Sequence, residues 1–196
     1  MKRLDIETDR QVWLTSDTHF GHANIIKYCQ RPFSSVEEMD ETMIARWNAV
    51  VGAEDVVLHL GDFAYKTRHG VEEILGRLSG RVYLVMGNHD DRNKIRRVPG
   101  FAGVGWDYNV DGIVSPTQHL VSVNGVAVCV VSHYPSNRWA EGLPLFFGHV
   151  HTSHCKAVST CAGSYDVGVD QNGFAPIRLE EALELAKYTI GPGAHF

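Results

Sequence analysis

The chain has 196 residues, 44% of them hydrophobic and 21% charged, with a formal net charge of −5. That balance excludes a disordered chain, and the length suits one domain, expected over residues 1–196, rather than two. The longest apolar run, Val126 to Val131, falls far short of the roughly 18 residues a membrane span needs. No apolar stretch follows the basic residues of MKRLDIETDR, so a cytoplasmic protein without a membrane partner is expected. The negative charge argues against a broad electropositive face for duplex nucleic acid. Cys29, Cys129, Cys155 and Cys161 form no CxxC pair. Cys129, inside VAVCVV, reads as a free buried thiol, and His154–Cys155 with Cys161 lacks ligand spacing. The compositional oddity is the 11 histidines.

In chain order, Gln11 to Thr15 reads as a strand, nearly apolar on both faces, and so do Asp55 to Leu60 and Val82 to Met86. Between the first two, Val36, Met39, Met43, Ile44, Trp47 and Val51 recur at helical spacing over Ser34 to Val51. Ser35 and Glu38 form a capping box at its start. A second helix over Val71 to Leu78 closes at Gly80. Asp91 to Pro116 has little periodicity and is expected to be mostly loop. His119 to Val123 and Val126 to Val131 flank Asn124–Gly125, a hairpin signal. Short strands follow at Leu145 to Phe147, Ala157 to Thr160 and Tyr165 to Val169, then a helix over Arg178 to Tyr188 with Leu179, Ala182, Leu183 and Leu185 on its apolar side. An α/β half and a β-rich half without a linker imply two packed sheets with helices outside.

Five of these strands run into polar, metal-capable residues: Asp17–Thr18–His19, Gly61–Asp62, Gly87–Asn88–His89–Asp90, Ser132–His133 and Gly148–His149–Val150–His151. Loops beyond strand ends are where sites assemble in α/β sheets. Asp17 and His19, like His149 and His151, would share a face if the strand continued. The glycines at 61, 87 and 148 would let the backbone turn beside them. One such piece alone is ordinarily a turn or cap, and His59 on its apolar strand reads as a satisfied core histidine. Five in order point to metal binding.

As an ordered set over residues 12–151, these blocks resemble the calcineurin-like metallophosphoesterase superfamily: D-x-H, G-D, G-N-H-D, a lone His, then G-H-x-H. SDTHFGHANII at Ser16 to Ile26, with Arg31–Pro32–Phe33 beyond, resembles the small single-domain phosphoesterases of bacteria and phages. The resemblance implies an α/β fold, a four-layer β-sandwich of two mixed sheets flanked by helices. It implies that Asp17, His19 and His151 hold one metal, that Asn88, His133 and His149 hold another, and that Asp62 bridges both. His89 would stand outside the ligand set near the leaving group as the acid, with Asp90 orienting it.

The chemistry fits those roles. Two divalent ions can polarise a phosphoryl oxygen and supply hydroxide near neutral pH, and an imidazole suits proton donation to a departing alkoxide. Mixed nitrogen and oxygen ligands favour Mn²⁺, with Fe, Zn²⁺ or Ni²⁺ as the other suitable ions. His22, Asn24 and Arg31 are candidate substrate contacts, with Asn24 as a helix cap the alternative. Tyr65, Lys66, Arg68 and His69 could line the cleft; Arg92, Lys94, Arg96 and Arg97 could steer a nucleotide; Arg138 and Trp139 could form a lip that stacks on a base. The expected activity is metal-dependent hydrolysis of a small organic or nucleotide phosphodiester. A phosphomonoesterase or nucleotide phosphohydrolase, a non-catalytic scaffold and a structural zinc protein stay open, as does the oligomeric state. A nuclease fits less well, because related nucleases carry further domains.

Overall fold

A computed structural model describes residues 2–65, 67, 70–95, 97–105, 109–110, 113–114, 118–151 and 162–188. Lys66, Arg68, His69, Arg96, His154, Cys155, Cys161 and the strand expected over 157–160 lie outside the described residues. The elements are β1 (Lys2–Ile6), β2 (Val12–Thr15), α1 (Ala23–Tyr28), α2 (Val36–Val50), β3 (Val56–His59), α3 (Gly70–Arg77), β4 (Arg81–Val85) and α4 (Arg92–Ile95). There follow β5 (Gly103–Gly105), β6 (Asn109–Val110), β7 (Ile113–Val114), β8 (His119–Val123), β9 (Val126–Val131), β10 (Leu145–Phe147), β11 (Ser164–Asp166), β12 (Ile177–Arg178) and α5 (Leu179–Tyr188).

Two mixed five-stranded sheets result, in the orders β12-β2-β3-β4-β5 and β1-β8-β9-β10-β11, with β6 and β7 as a small separate pair. In the first sheet β2 through β5 run parallel and only β12 is antiparallel. In the second, the β8–β9 hairpin supplies the one antiparallel pairing. Asn124 and Gly125, at φ 50° and 78°, make its turn.

The strands are apolar on both faces because both faces are covered. Along β3, Val57 points outward to the helices, while Val56 and Leu58 point into the space between the sheets. There Leu14, Leu58 and Val85 meet Val121, Val131 and Phe146, and α5 seals one side with Leu179, Ala182 and Ala186. Ala186 joins Leu179 and Ala182 in the fully buried row, at the spacing i, i+3, i+7, while Leu183 and Leu185 pack against the same core from its partly buried margin. On the outer face, α2 buries Met39, Met43 and Trp47. The far face of the second sheet is packed by Trp139 and Leu143 of the loop before β10.

The cap of α2 differs from the expected box in one detail. Ser35 accepts from the Glu38 N–H, but the Glu38 carboxylate accepts from Ser34, one residue earlier than the box requires. Strand β1 was not legible: its residues read as a polar N-terminus, yet they pair in parallel with β8 along Lys2–Ile6. Asp91 to Pro116 also holds α4 and three short strands. Among the described residues no helix is long and apolar enough to cross a membrane.

Candidate metal centre

The loops after β2, β3, β4, β9 and β10 converge at one end of the sandwich, bringing Asp17, Asp62, Asn88, His133 and His149 within reach of each other. The reason is not strand continuation. Asp17 (φ 59°), His19 (50°), Asp62 (54°), His149 (73°) and His151 (41°) all take left-handed backbone conformations without being glycine. Each such residue costs about 1 kcal/mol or more, so this strain sits at five of the seven expected ligands. Of the three glycines, only Gly61 (φ 107°) serves a left-handed turn. Gly87 and Gly148 are required by close approach: a Cβ at Gly87 would strike Asp62, and one at Gly148 would strike Ser16 Oγ and Asp17 Oδ2.

Two groups of ligand atoms form. In one, His19 Nε2 stands 3.4 Å from Asp62 Oδ2 and His151 Nε2 stands 3.8 Å from Asp17 Oδ1. In the other, His133 Nε2 lies 3.0 Å from Asn88 Oδ1, 3.3 Å from His149 Nδ1 and 3.6 Å from Asp62 Oδ2. The same Asp62 oxygen therefore faces both groups, while its Oδ1 accepts the His89 N–H at 2.8 Å. His133 gives its Nδ1 proton to the Leu60 carbonyl at 2.9 Å, which leaves Nε2 with a lone pair. His151 turns Nδ1 to Asp170 Oδ2 at 2.9 Å, so the ring nitrogen that a metal ion would take, displacing its proton, is Nε2. His19 Nδ1 faces His22 Nδ1 at 3.3 Å. Asp17 Oδ1 and His19 Nε2 are buried without any hydrogen-bond partner. Buried polar atoms that converge without a partner are costly unless a cation fills the space between them. The residues therefore fit metal ions.

The charges follow the same geometry. Burial pushes the Asp62 carboxyl up, but His19 and His133 beside it outweigh that and hold it below the usual carboxylate range. Burial lowers His19 and His149, and lowers His22 to about 4. Burial also opposes His151, yet Asp170, Cys29 and Asp17 together raise it to about 10. Burial, assisted by Asp62, raises Asp90 to about 6.

Several expected contacts sit elsewhere. Asp90 does not orient His89: its carboxylate accepts from the N–H groups of Asp62, Phe63 and Gly87, tying two ligand loops together. Arg31 is 4% exposed and spends its five donors on Asp170, on the carbonyls of Asp17 and Thr18 and on Met39 Sδ, leaving none for a phosphate. Asn24 is exposed in the first turn of α1 and does not cap it; His22 holds that position. Trp139 is packed on the far sheet face and donates to the Leu143 carbonyl at 2.7 Å, so it is no mobile lip. His22, Tyr65 and His89 do cluster, with ring centroids 4.5 Å (His22–Tyr65) and 5.3 Å (Tyr65–His89) apart. Asp170 escaped the sequence reading altogether, because it belongs to no motif and meets His151 only in the fold.

The family model of calcineurin-like phosphoesterases matches residues 10–156, and the chain belongs to that family. It is thus a metal-dependent phosphoesterase, with divalent ions as cofactors. An uncharacterized protein of Methanocaldococcus jannaschii is 32% identical over 183 residues, covering 90% of this chain and 91% of that one. The gene 66 protein of Mycobacterium phage L5 is 38% identical over 182 residues, covering 82% and 87%. A solved structure from Aquifex aeolicus, of a protein of unknown function, superposes with a TM-score of 0.66 at 26% identity, covering 90% of this chain and 100% of that one.

Proposed function

We propose that the chain hydrolyses a small organic or nucleotide phosphodiester at a two-metal centre. Asp17, His19 and His151 would hold one ion, Asn88, His133 and His149 the other, and Asp62 would lie between them. The observation that carries this reading is the one Asp62 oxygen facing both sets of acceptors, 3.4 Å from His19 and 3.6 Å from His133. Mn²⁺ is the favoured ion, since the donor set mixes imidazole with oxygen. A pair of divalent ions there supplies Lewis acidity toward a phosphoryl oxygen and a lowered pKa for bound water.

The chain's own residues do the rest. His22 is buried, and if it accepts the His19 Nδ1 proton its own proton is left on Nε2 as a donor. His89 is exposed, its ring 5.2 Å from that of His19, and is placed to protonate a leaving oxygen. The inward commitment of Arg31 supports a diester over a monoester: a diester carries one negative charge, and this guanidinium is not offered to a second.

The test is hydrolysis of bis-p-nitrophenyl phosphate by chelator-stripped protein with Mn²⁺ restored, the monoester p-nitrophenyl phosphate alongside. Metal-dependent turnover of the diester is expected. Turnover confined to the monoester would transfer the chain to the phosphomonoesterases, and silence on both with two ions bound would leave a scaffold.

A further inference from the structure

The Arg31–Pro32–Phe33 motif has no part in the chemistry above, yet Arg31 is among the most heavily bonded side chains of the molecule. Its Nε and Nη2 grip the two Asp170 oxygens at 2.8 Å each, a fork-to-fork pair. Nη2 also reaches the Asp17 carbonyl at 2.7 Å and Nη1 the Thr18 carbonyl at 3.0 Å. We propose that Arg31 and Asp170 are positioning residues for the metal centre: Arg31 braces the Asp17–His19 turn and Asp170, and Asp170 fixes the His151 ring. The proposal rests on the metal-centre reading above.

Three observations carry it. The Arg31 and Asp170 side chains are 0% and 9% exposed. A pair buried so deeply gains little stability over apolar residues of the same size, so its use here is geometric. Asp170 Oδ2, already holding Arg31, lies 2.9 Å from His151 Nδ1; the ring proton held there leaves Nε2 facing Asp17 Oδ1 at 3.8 Å. The carbonyls that Arg31 holds belong to the turn that carries left-handed Asp17 and His19, a turn that needs outside partners to persist.

Asp170 is itself held by the same motif. Its loop ends at Phe174, left-handed at φ 61°, whose ring packs on Phe33 at 4.9 Å with the Arg31 and Arg46 guanidinium groups 5.8 and 5.9 Å away. Arg46 donates to the Gly173 carbonyl at 2.7 Å, and Asn172 closes the loop onto the Gly168 carbonyl at 2.8 Å. Motif and loop thus interlock, and His151 is oriented from a segment far from it in sequence.

The experiment is chelator competition with Zn²⁺ on the full chain, for the wild type, D170N and R31K, together with denaturation of the metal-free proteins. D170N is expected to bind one of two ions about 10–100-fold more weakly and the other unchanged. R31K keeps the charge but not the fork, and is expected to move in the same direction. A folded D170N that holds both ions with wild-type affinity overturns the proposal. Should D170N fail to fold, ring ¹H–¹⁵N spectra of the Zn²⁺-loaded wild type decide. A His151 proton on Nδ1 supports it and a proton on Nε2 overturns it. A wild type that binds no ion sinks the metal-centre reading as well, which separates that failure from a failure of the positioning pair alone.

Discussion

The two candidate ligand groups both face Asp62 and are otherwise built on different principles. Asp17, His19 and His151 are all left-handed; of Asn88, His133 and His149 only His149 is. The strained group is braced by charge and by side chains: Asp170 holds His151, His22 faces His19, and Arg31 grips the backbone between. The relaxed group is braced more lightly: His133 donates to the Leu60 carbonyl, Asn88 is exposed with the Tyr134 hydroxyl 3.5 Å from its Oδ1, and only the left-handed His149 has its N–H held by a carboxylate, Asp17 Oδ2 at 2.8 Å. Bracing follows strain. A backbone held in a sparsely populated region persists only when its surroundings over-determine it, whereas a residue issuing directly from the end of β9 inherits its direction from the sheet.

The substitution that should erase the difference is Asp62→Asn, since Asp62 Oδ2 is the atom common to both groups. It is expected to lose both ions and to lower diester hydrolysis by roughly 10³-fold or more. Metal analysis beside the rate assay checks it, and retention of both ions would show that the carboxylate is not shared. His89→Asn should be milder and should leave both groups intact, because the one hydrogen bond His89 gives them comes from its backbone N–H, to Asp62 Oδ1 at 2.8 Å, and of their rings its own meets only that of His19. Turnover should fall about 10²–10⁴-fold, most with poor leaving groups, while both ions stay bound. An H89N protein stripped of metal would place His89 among the ligands and not beside the leaving group.

How much of this was legible follows from what kind of signal each part carries. Strands β2, β3 and β4 announced themselves as apolar runs, and the hairpin as Asn124–Gly125, because those signals are local. The blocks that converge as candidate ligands were legible for the same reason, each being a short motif at a strand end. Strand β1 was not: Lys2, Arg3, Leu4, Asp5 and Ile6 form an edge with only Ile6 fully buried, so little apolar pattern is needed. Roles decided by distant partners were also hidden. Arg31 looked like a phosphate contact until its neighbour proved to be Asp170, 139 positions away, and Asp90 looked like a support for His89 until its oxygens were found on Asp62, Phe63 and Gly87.

The smallest effect tests whether a histidine beneath the centre belongs to the core. Thr18 donates to the Phe63 carbonyl at 2.7 Å, so it accepts from His59 Nε2 at 2.9 Å; His59 Nδ1 accepts the Gly61 N–H at 3.2 Å. The ring is thus fixed as the neutral Nε2–H form, and burial lowers its pKa from 6.5 to about 3. The sign follows from linkage: the unfolded chain takes up this proton below pH 6.5 and the folded one not until about 3, so stability falls as pH drops through that window. Asp90, raised to about 6, and Asp166, raised by burial to about 7, act the other way, since the folded state takes up their protons first. They offset His59 until the pH reaches the ordinary carboxylate range, below which the His59 loss proceeds unopposed. Metal-free His59→Gln should therefore be about 1–3 kcal/mol less stable at neutral pH, having disturbed two buried hydrogen bonds, yet lose less between pH 4 and 3 than the wild type. Denaturant midpoints across that range measure it, and parallel curves for the two proteins would mean that His59 is not the proton acceptor that stays empty in the fold.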